Sequence, residues 1–165
     1  MKESILKGKR ILAVDDEPDV LATLEEEILA TCPDCRVDKA SQYEEAVQKI
    51  RSSAYDLVIL DIMGVRGFEL LELAVSRNLL VVMLTAHALS PEALRRSYEL
   101  KARAYLPKEK LGEVVPFLED VLTHEFSSGW KRLFEKMTDF FDKKFGEGWK
   151  AKWGRTGGVG TNRPF

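Results

Sequence analysis

No run of the chain approaches the ~18 consecutive apolar residues of a membrane-spanning helix. The lysines of the opening MKESILKGKR are not followed by the apolar core of a secretion signal. Both absences point to a soluble globular protein, with the cytoplasm as its expected location. Cysteine is scarce. Cys32 and Cys35 form a CPDC, but the pair follows a helical pattern and precedes a strand. A redox pair has the reverse order, with a helix N-terminus lowering a thiol pKa. Histidine is limited to His87 and His124, and neither has a ligand partner nearby in sequence to complete a zinc site with the cysteines. Structural thiols are therefore expected. The chain also lacks a G-x-G-x-x-G after its first strand, which argues against a dinucleotide fold of the usual kind. It has no internal repeat and no low-complexity tract.

The 165 residues, 45% of them hydrophobic, suffice for one ordinary domain with a buried core and a short appendage. The net charge of −2 conceals an asymmetry. Residues 1–122 carry 16 Lys/Arg against 22 Asp/Glu, whereas residues 123–165 carry 9 against 5. An acidic body excludes a broad nucleic-acid surface, and the positive charge of the tail is too dilute to track phosphates.

Strand and helix signals alternate from the start. Residues 9–14 (KRILAV) read as a short buried strand, and Pro18 suits the first turn of a helix carrying Val20, Leu21, Leu24, Ile28 and Leu29. A weaker strand follows at 35–40. Ser41 with Glu44 then reads as a capping box opening a helix over 43–51. Leu57, Val58, Ile59 and Leu60 form an unbroken apolar run of the kind a strand covered on both faces requires. The spacing of Phe68, Leu71, Ala74 and Val75 predicts a helix over 68–77, and LLVVML at 79–84 is another fully apolar strand. Ser90-Pro91-Glu92 starts a helix to about residue 100. A fifth strand at 104–106 and a helix at 113–122 complete five strand-helix units. They predict an α/β fold, a doubly wound five-stranded parallel sheet with helices on both faces.

In such sheets ligands bind beyond the carboxyl ends of the strands. Asp15, Asp16 and Glu17 follow the first strand there, Asp61 the third, Thr85 and Ala86 the fourth, and Lys108 the fifth. Crowded carboxylates repel unless something positive joins them. An oxygen-rich cluster of this kind suits Mg²⁺. Lys108 supplies a mobile positive charge and Thr85 a hydroxyl donor. An aspartate beside a metal, a hydroxyl and a lysine can attack phosphorus, giving an aspartyl phosphate. Each element alone has an ordinary reading as a helix start, a turn or a solvated lysine. Their joint occurrence at one edge points to chemistry.

With these residues in place, the segments ILAVDDEP, YDLVILDI, VVMLTAHA and ARAYLPKEKL resemble the receiver domain of two-component response regulators, over residues 9–122. The resemblance implies a flavodoxin-like fold and a signalling protein that is a phosphoacceptor rather than an enzyme. It implies that Asp15, Asp16, Asp61 and the backbone carbonyl of Met63 hold Mg²⁺. Asp61 would take the phosphoryl group from a sensor histidine kinase or a phosphotransfer protein, with Thr85 and Lys108 contacting the phosphate. Tyr105 matches the family's switch aromatic, which turns inward as Thr85 moves, although it also reads as a plain strand residue. The surface that changes in the family corresponds here to residues 91–122. Met63 and His87 match positions flanking the path of hydrolytic water. Bulky Met63 is expected to slow dephosphorylation and His87 to make it pH-dependent near neutrality, His87 being equally readable as a solvated turn residue.

The chain departs from the family in two places. DIMGVRGFEL reaches Gly67 two residues early and has no proline, which implies a shortened loop after Asp61. Lys108 is preceded by Pro107 and followed by Glu109, in place of the usual Lys-Pro.

The expected division is a receiver domain at 1–123, an amphipathic helical extension at 124–153 and a flexible tail at 154–165. In the extension Phe126, Trp130, Leu133, Phe134, Met137, Phe140, Phe141 and Phe145 recur at three- and four-residue intervals. Gly146 and Gly148 break the helix and leave Trp149 and Trp153 off the main stripe. A stripe so aromatic packs on its own domain, pairs with a second copy, or docks on a partner or membrane. Acids on the polar face favour the first two, so the helix is expected to serve output or dimerisation, with a homodimer through 91–122 or 126–145 as one form. The expected function is a single-domain response regulator. Two alternatives stand: a degenerate receiver acting as a constitutive interaction module, and an Asp-nucleophile phosphohydrolase. The second is disfavoured because Met63 occupies the place of that class's general acid.

Overall fold

The computed structural model describes residues 4–86 and 90–152. Five strands, β1 (Arg10–Val14), β2 (Arg36–Ala40), β3 (Leu57–Asp61), β4 (Leu80–Thr85) and β5 (Ala104–Pro107), pair in parallel in the order β2-β1-β3-β4-β5. Helices α1 (Pro18–Thr31), α2 (Tyr43–Ser52), α3 (Gly67–Ser76), α4 (Pro91–Glu99) and α5 (Val114–Thr123) alternate with them, and α6 (Phe126–Phe145) follows. The sheet is the expected doubly wound one.

Alternate residues of each central strand face opposite sides. Ile11, Ala13, Leu57 and Ile59 pack with α1 and α5, whereas Leu12, Val14, Val58 and Leu60 pack against the other layer. This is why the strands read as unbroken apolar runs. The edge strand β2 has only one buried residue, Ala40, which explains its weaker sequence signal. Cys32 and Cys35 are free and buried at the foot of the first core. The Cys35 thiol donates to Leu6 O at 2.8 Å, and burial, with Cys32 beside it, pushes its pKa up to about 12. An unreactive thiol is the result.

Helix starts follow the local chemistry. Pro18 and Pro91 occupy first turns, and the Ser90 hydroxyl accepts from Ala93 N–H at 3.1 Å. The expected capping box at Ser41 is corrected. Gln42 is the N-cap of α2 and makes no side-chain cap bond, while the Ser41 N–H donates to Glu45 Oε1 at 3.0 Å. Extended backbone continues one residue past Ser41, so the carboxylate that reaches back is Glu45 rather than Glu44.

After α5 the chain turns at His124, whose carbonyl accepts from the Arg103 guanidinium at 2.6 Å. α6 then runs back across α5 and β5. Its aromatic stripe is buried against the domain's own core, with Trp130 Nε1 donating to Ala102 O at 2.8 Å. Arg132 and Lys136 pair with Asp120 of α5, and Lys144 with Glu109 at 2.8 Å. Trp149 was expected off the stripe. A turn past Gly146 instead folds its indole back onto Phe134, Phe141 and Phe145, with Nε1 donating to Asp142 Oδ1 at 2.9 Å. Trp153 and the expected tail at 154–165 lie outside the described residues. No described helix is long and apolar enough to cross a membrane.

Candidate functional site

The sheet order changes direction between β1 and β3, and a crevice opens there beyond the strands' carboxyl ends. Parallel register sets Val14 beside Leu60, which brings Asp15 and Asp61, the next residues, level with each other. Asp15 and Asp61 are buried and Asp16 is exposed, and carboxylate oxygens from all three lie within 4.8 Å of one another. Asp15 Oδ1 accepts from the Glu17 N–H at 2.8 Å, fixing the turn into α1.

Lys108, just past β5, closes the cluster. Its Nζ lies 2.9 Å from Asp15 Oδ2, 3.0 Å from Glu17 Oε1 and 3.5 Å from Asp61 Oδ1. The close approach to Asp15 is an ion pair to a carboxylate wholly out of solvent. Burial opposes the ammonium charge, yet hydrogen bonding to Asp15 and Glu17 and the attraction of Asp61 and Asp15 together hold the Lys108 pKa above its usual value. One ammonium does not neutralise three carboxylates. Burial, then the neighbouring Asp15 charge, pushes Asp61 up to about 7, and burial likewise raises Asp15.

This donor set fits a hard divalent cation. All the candidate ligand atoms are oxygens, two of the three carboxylates are buried, and among the described residues Lys108 is the one cation paired with them, so surplus negative charge remains. Asp15, Asp16 and Asp61 are the residues that could hold it.

The short loop after Asp61 is built around two glycines. Gly64 has φ +85°, and a Cβ there would lie 2.4 Å from Asp16 Oδ2. A Cβ on Gly67 would lie 2.0 Å from the Asp61 carbonyl oxygen. Loop backbone therefore packs directly on the acidic residues, an approach open only to glycine. Met63, just before Gly64, is 54% exposed, so its side chain stands in solvent at the rim.

Thr85 ends β4 with its hydroxyl buried. Tyr105, in β5, is fully buried. Its hydroxyl lies near the Ser90 backbone and Thr85, which slightly offsets the burial that pushes its pKa to about 12. The ring is thus turned inward. His87 lies outside the described residues. Asp15, Asp16, Asp61 and Lys108 are brought together, with Thr85 at the neighbouring strand end. Sequence reasoning passed over Glu17 as a partner of Lys108, although it stands in the same DDE, and Gly64 as a neighbour of Asp16, for which no local signal exists.

A five-stranded parallel sheet in this order, with an acidic cluster and a lysine at its switch edge, defines the flavodoxin-like α/β class. Within that class, the response regulator receiver domain model matches residues 11–115, and the chain belongs to that family. It is 41% identical over 85 residues to a two-component response regulator, ARR18, of Arabidopsis thaliana, covering 49% of this chain and 13% of the relative. It is 36% identical over 125 residues to a gliding motility regulatory protein of Myxococcus xanthus, covering 71% and 16%. The chain thus spans only 13 to 16% of the length of these curated relatives. Among solved structures, the response regulator TrrA of Thermotoga maritima, in complex with Mg²⁺ and beryllium fluoride, is 33% identical with a TM-score of 0.58, covering 68% of this chain and 98% of that one.

Proposed function

We propose that this receiver accepts a phosphoryl group on Asp61 from a phosphohistidine of a sensor histidine kinase or phosphotransfer protein, in a Mg²⁺-dependent reaction in the cytoplasm. It then signals by conformational change. One observation carries the reading: the carboxylates of Asp15, Asp16 and Asp61 meet within 4.8 Å, with Lys108 Nζ 3.5 Å from Asp61. Bound Mg²⁺, held by those side chains and the Met63 carbonyl, would keep Asp61 ionised and offset the charge of the incoming group.

The ionised Asp61 oxygen attacks phosphorus, the phosphorus–nitrogen bond breaks, and the imidazole leaves with its electron pair. Lys108 would shift from Asp15 and Glu17 toward a phosphoryl oxygen, and the buried Thr85 hydroxyl would donate to another. Met63 at the rim would restrict water and lengthen the life of the acyl phosphate, and His87 would tune that lifetime with pH. We read 1–123 as the receiver and 124–153 as its extension.

Intact mass after incubation with Mg²⁺ and acetyl phosphate tests the reading. One added phosphoryl group, absent from Asp61→Asn and without the metal, is expected. An unmodified wild-type chain, with both the small donor and a cognate kinase, overturns it.

A further inference from the structure

Features outside the site include the buried thiol pair, a pocket between the C-terminal ends of α2 and α3, and the aromatic helix folded onto β5. The aromatic helix is connected physically to the site. Phe141 of α6 is fully buried with its ring centroid 6.2 Å from that of Tyr105. Behind it stand Phe134, Phe145 and Trp149, at 5.9, 5.4 and 5.8 Å. Tyr105 stands two residues before Pro107, the register partner of Thr85 at the end of β4, and its hydroxyl lies near Thr85 and the Ser90 backbone. Tyr105 therefore adjoins both the α6 cluster and the strand-end hydroxyl of the site.

Phe141 fills the space beside the buried Tyr105 ring, so a ring swinging outward on that side would meet it. Interiors packed at this density do not admit a second ring without displacing the first. Docked α6 and an outward Tyr105 thus exclude each other, whereas docked α6 and an inward Tyr105 are compatible, as observed. Whatever favours one member of a compatible pair favours the other, by the same factor in both directions.

We propose that α6 is an intramolecular effector of the phosphorylation switch and that Phe141 is a positioning residue acting through Tyr105. Docking of α6 and occupation of the phosphoryl position beside Thr85 stabilise each other. The proposal rests on the reading of Asp61 as phosphoacceptor. It assigns a direction: phosphorylation tightens α6 on the α4–β5–α5 face rather than releasing it. That face is then covered by the chain's own helix in the phosphorylated state, and becomes available to a second copy or another helix chiefly in the unphosphorylated one.

Beryllofluoride with Mg²⁺ serves as the probe, since it occupies the phosphoryl position without chemistry. Its affinity is measured on the full chain, on Phe141→Ala, and on Lys136→Glu, which sets a like charge against Asp120 and weakens docking without touching Tyr105 or the site. Hydrogen exchange of the α6 amides is followed with and without the probe. Expected are an affinity at least about fivefold weaker in both variants, and slower exchange of α6 in wild type when the probe is bound. A helix that is merely structural would lower thermal stability in the variants and leave the affinity unchanged, which overturns the proposal. Should Phe141→Ala not fold, the Lys136→Glu arm and the wild-type exchange decide alone. Faster exchange of α6 on binding reverses the sign of the coupling and overturns it equally. A wild-type chain that binds no probe and takes no phosphoryl group refutes the phosphoacceptor reading itself, and is thereby distinguished from binding that the variants do not alter.

Discussion

At the scale of single residues, the site is a concentration of negative charge held by burial. Asp61 binds its proton more tightly folded, at about 7, than in an unfolded chain, where the value is near 3.8. A raised carboxylate pKa means that the folded state gains from protonation at low pH and is penalised as pH climbs from about 4 to about 7. Asp61→Asn removes that penalty. Without Mg²⁺, denaturant unfolding should show the variant's advantage over wild type growing between pH 4 and pH 8, by on the order of 2–4 kcal/mol. Added Mg²⁺ should shrink the difference, because cation and proton compete for the same carboxylate. Gly64→Ala should act from the neighbouring loop. Its φ of +85° is strained for alanine, and the new methyl group would meet the Asp16 carboxylate. Calorimetric titration should find Mg²⁺ affinity lowered roughly 10- to 100-fold, the range for disturbing the support of a metal ligand. Asp15, Asp16, Asp61, Thr85 and Lys108 were legible in the sequence because each directly follows a strand that the pattern located. Gly64 was not, because its contact with Asp16 joins two loops 48 positions apart.

Elements combine these residues into surfaces. α6 has a fully apolar seam and a charged outer face, and Trp130 near its start anchors both a hydrogen bond to Ala102 and a T-shaped contact with Tyr98 at 5.3 Å. Trp130→Ala should cost ~3–5 kcal/mol in denaturant unfolding, as expected for emptying a buried indole site. Trp130→Phe should recover much of the packing but not the bond. The helix boundaries read from periodicity hold to within a residue or two. The exception in kind is the start of α2, where Ser, Gln and a run of two glutamates offer neighbouring capping registers of similar chemistry, and only the path of the backbone selects between them. Trp149 shows the same limit: its position off the helical stripe is correct as periodicity, but a turn restores it to the cluster.

At the scale of the molecule, the second core is larger than a five-unit sheet requires, since it continues through Tyr98 and Tyr105 into α6. Removing 124–165 uncovers that apolar face. Sedimentation at matched concentrations should show the shortened chain associating more strongly than the full one, exposed aromatic patches of this kind being prone to pairing. An unchanged sedimentation profile would mean that α6 shields nothing. The alternating apolar runs, the acidic pair after the first of them, and the aspartate, threonine and lysine closing the others determined the sheet and its functional edge. They did so because strand ends are local features and a parallel sheet aligns them all on one side. What covers the aromatic helix was decided only in three dimensions. Amphipathic spacing records which face must leave water and leaves open what it meets. The answer here, Tyr105 and the core behind it, lies 36 residues back from Phe141 and is supplied by the turn at His124.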